Sequence, residues 1–126
     1  LTAERDPIDA VEDILRNLRL AREFVGEALT VDELERDTKT LYSLVRALEV
    51  VGEATKRVPA SVRALDPTIP WKEMAGMRDR LIHDYENVDV ELLLITVRRR
   101  IPEVEPRVRA LLAHLIGESE HPQPDD

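Results

Sequence analysis

Apolar side chains return every three or four residues along most of this chain, and nowhere do they settle into strict alternation with polar ones. Ile8, Val11, Ile14, Leu15, Leu18, Val25 and Leu29 form the first stripe, with acids and arginines between them. Leu34, Leu41, Val45, Leu48 and Val51 form a second, and Leu92, Leu93, Ile95 and Val97 open a later one. A helix turning about 100° per residue gathers such positions on one face, whereas a strand scatters them. The fold class this implies is all-α, an antiparallel up-and-down helical bundle. A length of 126 residues is enough for one hydrophobic core. A single domain over residues 1–117 is therefore expected.

Local signals divide the stripes into elements. Asp6 as N-cap with Pro7 in the first helical position starts the first helix. Thr30 with Glu33 three residues on forms a capping box, predicting one long second helix that frays near Val58-Pro59. A short helical piece fits Ala60 to Leu65, before Asp66-Pro67 and Ile69-Pro70 force an extended or turn path. Another helix is expected from Trp71 to about Tyr85. Asn87 and Asp89 precede a fourth major helix ending near Arg100, and Pro102 and Pro106 should interrupt or kink the chain after it. The last helix is expected from about Val104 to Ile116, with Gly117 as its cap. Beyond it, residues 118–126 lack apolar content and read as a disordered acidic tail.

Composition closes several functional classes. The chain has no cysteine, which removes disulfide scaffolds, cysteine metal sites and cysteine nucleophiles. Phe24, Tyr42, Trp71 and Tyr85 are too few aromatics for the stacking platforms of sheet-based RNA binders. No apolar run approaches the roughly 20 residues that span a bilayer, so no membrane partner and a cytoplasmic location are expected. The formal net charge of −8 is uneven. Residues 1–55 sum to −6, residues 56–109 to +2 and the remainder to −4. A weakly basic second half can receive phosphates, although a solvated surface of fluctuating sign accounts for the same numbers.

The three histidines are His83, His114 and His121. His121 follows Glu118 at the bare Glu-x-x-His spacing, but a di-metal bundle site needs that pair twice on ordered helices, and no metal site is expected. His83 and His114 each lie five residues after an arginine, Arg78 and Arg109. Chance alone supplies roughly 0.4 such pairs in a chain of this composition, so context must separate them. Around His114 the intervening residues are apolar, as in a helix edge. Around His83 the run Arg78-Asp79-Arg80-Leu81-Ile82-His83-Asp84-Tyr85 is dense in polar groups.

In a continuous helix Asp79 and His83 are i and i+4 neighbours, so the carboxylate would orient the imidazole. Arg78 and His83 would stand about 140° apart, which a single phosphate bridges only through a loosened helix, a long reach or a second protomer. An arginine and a histidine are what RNA cleavage without a metal requires. Histidine moves protons near neutral pH, arginine holds the phosphoryl oxygens, and the 2′-OH is the nucleophile. Surface arginines and histidines at a helix end are also commonplace. Glu49 and Glu53, again i and i+4, form a possible carboxylate pair, and Gly52 between them suggests close packing of a neighbour.

The extended motif Arg78-Asp-Arg-Leu-Ile-His83-Asp-Tyr85, with Ile69-Pro70-Trp71-Lys-Glu-Met-Ala-Gly-Met77 and Val51-Gly52-Glu53-Ala54 before it, resembles the HepT toxins of the HEPN superfamily. The likeness covers most of the chain, from the first helix to about Ile116. It implies a HEPN-like helical bundle acting as a homodimeric ribonuclease toxin on an RNA substrate, without a cofactor. By that resemblance Arg78 holds phosphate, Asp79 is the polar residue that follows it, and His83 is the acid/base. The family's partner is MntA, a nucleotidyltransferase-fold antitoxin that adenylylates the tyrosine of the Arg-x4-His-x-Tyr motif, the place filled by Tyr85. Two alternatives belong to other classes: a non-catalytic HEPN-like module that binds nucleotide or a nucleotidyltransferase and regulates it, and a plain helical interaction domain.

Overall fold

A computed structural model describes residues 5–27, 29–81 and 88–120. All the regular elements among them are helical: α1 (Arg5–Val25), α2 (Val31–Arg36), α3 (Thr38–Lys56), α4 (Ala60–Arg63), α5 (Trp71–Ala75), α6 (Met77–Leu81), α7 (Val90–Ile95), a π-helical turn (Thr96–Arg100) and α8 (Ile101–Glu120). The all-α reading holds. α1 packs chiefly on α3 and also on α8. Asp13, early in α1, meets Arg57 just past the end of α3 at 2.7 Å, and Arg22, late in α1, meets Glu105 early in α8 at 2.8 Å. Both pairs join the start of one helix to the end of another, as antiparallel neighbours must.

The apolar stripes face one another. Ile14 and Leu18 of α1, Leu44, Leu48 and Val51 of α3, Leu93 of α7 and Ile101 and Val108 of α8 are essentially without solvent contact and belong to one cluster. Burying each such side chain contributes about 1.5–3 kcal/mol, so the stripes hold the bundle together.

Several expected boundaries move. α1 already includes Arg5 and Asp6, so Asp6 lies inside the helix instead of capping it. The helix stops at Val25 because Gly26 takes a left-handed φ of 65° while its N–H still bonds the Arg22 carbonyl at 3.1 Å. Thr30 does cap, its Oγ1 accepting from the Glu33 N–H at 3.1 Å, but the helix it opens is only α2. Asp37 breaks the expected long helix: its Oδ1 accepts from the Thr40 N–H at 3.0 Å and its Oδ2 from the Thr40 hydroxyl at 2.6 Å. Those bonds, the hydroxyl's first, hold the Asp37 carboxyl below the usual range and restart the chain as α3.

Downstream, neither proline stops the chain. The π turn lies directly ahead of Pro102, and the Ile101 N–H reaches back to the Thr96 carbonyl. Pro106 sits inside α8. Gly117 does not cap it either, because the helix continues to Glu120. Glu118 is thus helical, and neither the boundary at residue 117 nor a tail beginning at 118 corresponds to a break in the structure. His121 and residues 122–126 lie outside the described residues.

Candidate active site

The platform for Arg78 is built from residues 57–77. Arg63 ties the turn after α3, its Nε donating to the Val58 carbonyl at 3.0 Å and its Nη2 to the Thr55 carbonyl at 2.8 Å. Trp71 Nε1 in turn donates to the Arg63 and Asp66 carbonyls at 3.2 and 3.0 Å, and the Arg63 guanidinium stands 6.0 Å from the indole centroid. These bonds fix where α5 begins.

α5 then meets α3 backbone to backbone. A β-carbon on Gly52 would lie 3.5 Å from the carbonyl oxygens of Met74 and Ala75, so the close packing suggested by Gly52 is real. Gly76 ends α5, its N–H bonding the Lys72 carbonyl at 3.1 Å, and the chain re-enters a helix as α6. The helix expected from Trp71 is therefore two short ones, and its continuation to Tyr85 lies outside the described residues.

Arg78 projects from α6 toward α3, where its Nε is 3.5 Å from Oε2 of Glu49. Half of the arginine side chain stays exposed, at 51%, against 29% for Glu49. Asp79 is almost fully exposed and approaches Arg78 Nη1 only at 3.9 Å. His83 and Tyr85 lie outside the described residues, as does the expected Asp79–His83 neighbourhood. Glu49 is the partner that sequence spacing does not single out for Arg78. The carboxylate expected beside it, Glu53, pairs instead with Lys56 at 3.6 Å.

The second Arg-x4-His pair behaves as a helix edge. Arg109 is committed to Glu105 at 2.9 Å, and His114 is exposed on α8. Glu105 itself is 4% exposed; its Oε2 takes both Arg22 and Arg109, and its Oε1 has no hydrogen-bond partner.

On the other side of α6, Glu73 receives Arg80 Nη1 at 3.2 Å and Arg100 Nη2 at 2.8 Å. The Arg100 hydrogen bond is the main reason the Glu73 carboxyl lies below the ordinary glutamate range, with the charges of Arg100 and Arg80 adding to it against partial burial. Among the described residues no group of three or more metal-ligating side chains converges, and no helix is long and apolar enough to cross a membrane.

Residues 14–111 match the family described as Ribonuclease HepT-like. A Thermococcus cleftensis protein named "Probable ribonuclease HepT" is 44% identical over 108 residues, covering 86% of this chain and 97% of that relative. Two relatives carrying RNase names, from Caldanaerobacter subterraneus subsp. tengcongensis and Methanocaldococcus jannaschii, are each 35% identical, over 86% of this chain and 96% and 89% of theirs. No solved structure matches this chain at a significant level. A match across both faces of the core and the whole Gly52 to Arg78 platform is more than a shared motif, and the chain belongs to the HepT-like ribonuclease family.

Proposed function

We propose that this chain is the toxin of a toxin–antitoxin pair, an endoribonuclease that cuts RNA as a cytoplasmic homodimer without a metal ion. The observation that carries the reading is the Arg78 guanidinium, set beside the Glu49 carboxylate at 3.5 Å and the Asp79 carboxylate at 3.9 Å and half open to solvent. A guanidinium so placed retains donors for a phosphodiester.

In the reaction the 2′-oxygen attacks the adjacent phosphorus as His83 takes its proton. The P–O5′ bond breaks, and the departing oxygen receives a proton from the second histidine of the dimer or from water. The products are a 2′,3′-cyclic phosphate and a 5′-hydroxyl. Arg78 holds the non-bridging oxygens while their charge rises. Asp79 supports the imidazolium, and two protomers facing across one cleft relieve the angular mismatch between Arg78 and His83.

Silencing belongs to an MntA-type nucleotidyltransferase antitoxin that adenylylates Tyr85. An AMP group there places bulk and negative charge two residues from His83, where the substrate phosphate must sit. The test is cleavage of total and transfer RNA in EDTA by protein shown by mass spectrometry to be unmodified at Tyr85, beside an Arg78→Ala/His83→Ala double variant. Cleavage by the wild type alone supports the reading. A folded, unmodified dimer that cuts nothing yet binds nucleotide or a nucleotidyltransferase overturns it in favour of a regulatory module.

A further inference from the structure

Arg98, Arg99 and Arg100 follow one another through the π turn, and the structure sends them to three destinations. Arg98 donates to the Leu29 carbonyl. Arg100 donates to Glu73 at 2.8 Å and to Glu103 at 2.9 Å. Arg99, between them, is exposed and has no ion pair or hydrogen bond among the described residues. It lines a groove of about 170 Å³ between α6, α7 and the π turn. Met77, Leu92 and Ile95 give the groove an apolar lining, and Arg80, Arg99 and Arg100 line it against two carboxylates, Glu73 and Glu103. Ile95 is 46% exposed there, unusual for a large aliphatic side chain in this molecule.

We propose that this groove is a second RNA subsite, taking a phosphodiester of the substrate strand outside the scissile position, with Arg99 as its contact. The inference rests on the ribonuclease reading above. The space holds roughly five waters, which a phosphate with part of its ribose replaces. Ile95 and Leu92 offer the sugar an apolar surface, and the arginines offer cations.

Arg78 and Arg80, two residues apart on α6, face Glu49 and Glu73 on different neighbours. A single strand crossing α6, a helix about 10–12 Å across, meets first one arginine and then the groove. Glu73 and Glu103 keep Arg80 and Arg100 partly neutralised, which leaves Arg99 the uncommitted cation of the groove among the described residues. In a chain of net charge −8, that local excess sets the path of a polyanion.

The experiment measures binding and cleavage of a fluorescent single-stranded RNA by the full-length chain from 50 to 300 mM salt. It compares wild type, Arg99→Gln, Glu73→Gln and a control, Arg19→Gln, an exposed α1 arginine that does not line the groove. Arg99→Gln is expected to raise KM about five- to tenfold, leave kcat within twofold, and reduce the slope of log Kd against log salt by about 0.7. Glu73→Gln, by freeing Arg80 and Arg100, is expected to lower KM and steepen the slope, while Arg19→Gln changes neither.

An Arg99→Gln variant with wild-type KM and slope overturns the subsite while active wild type leaves the ribonuclease reading standing. A fall in kcat alone also overturns it, since Arg99 would then act in the chemistry. A change of oligomeric state in Arg99→Gln by light scattering overturns it as well, making the groove a protein interface. A wild type that neither binds nor cuts RNA removes both readings together.

Discussion

Glu49 and Arg78, 29 residues apart in sequence, meet at 3.5 Å between Oε2 and Nε, with half of the arginine side chain still open to solvent. Their meeting depends on neither residue's own helix alone but on how α5 docks against α3 at Gly52, one turn beyond Glu49, where there is room for no more than a small side chain.

Replacing Arg78 by lysine keeps the charge and loses the fork. RNA cleavage by Arg78→Lys is expected to fall about 100-fold, in the range found when a transition-state donor is removed. The side chain is half exposed, so thermal unfolding should shift by less than the equivalent of about 0.5 kcal/mol.

Glu49→Ala removes the brace but not the reacting groups. The expected outcome is a fall in kcat of about tenfold with little change in KM, because misaimed donors are lost mainly in the transition state. Glu49→Gln, which retains an oxygen acceptor, should recover much of that loss, measured in the same steady-state assay.

At Gly52 an alanine methyl would meet the Met74 and Ala75 carbonyls at ordinary contact distance. Gly52→Ala is therefore expected to be tolerated and to gain up to about 1 kcal/mol from helix propensity. Gly52→Leu should push α5 away, lowering both the melting temperature and cleavage. Denaturant titrations of the two variants check the difference.

Acid should weaken the groove side of α6 through Glu73. Its carboxyl is lowered in the folded chain, so its contribution to stability is fully present above the ordinary glutamate value of about 4.3 and is lost as pH falls through the lower folded value. The stability difference between wild type and Glu73→Gln should be constant from pH 7 to 5 and shrink below that window, as followed by urea unfolding at each pH.

Glu105 offers a contrast, because two half-exposed arginines hold a nearly buried carboxylate with one oxygen unmet. Glu105→Met, apolar and of similar length, is expected to stay within about 1 kcal/mol of wild type, since Arg22 and Arg109 can return to water. Glu105→Ala should lose about 2–3 kcal/mol by opening a cavity. Chemical denaturation distinguishes them.

How far the sequence can be read depends on whether the deciding contact is local. The Thr30 cap, the apolar stripes and the tightness at Gly52 are written in neighbouring residues, and the structure bears them out. The Asp37 cap is written there too, as an aspartate three residues before Thr40, but a continuous apolar stripe hides it. Pro102, Pro106 and Gly117 mislead for the opposite reason: their local preferences are real, yet packing of Ile101, Val104, Val108 and Leu111 into the core carries the helix through. The Glu49 brace and the divergence of Arg98, Arg99 and Arg100 depend on how distant elements dock, which no spacing rule encodes. Arg78 itself is legible because a polar run at a helix end is conspicuous.

A ring with no charge steers the charges around it. In a regular α-turn Pro102 would press on the Arg98 carbonyl and leave it without a donor, whereas the widened turn ahead of it relaxes that crowding. The wider pitch also changes the angle between successive side chains, so that Arg98 reaches the Leu29 carbonyl, Arg100 reaches Glu73 and Glu103, and Arg99 is left in the groove. Pro102→Ala would permit the narrower winding and re-aim Arg99 without altering any residue of the groove, so the subsite proposed above would be adjustable from a position outside it.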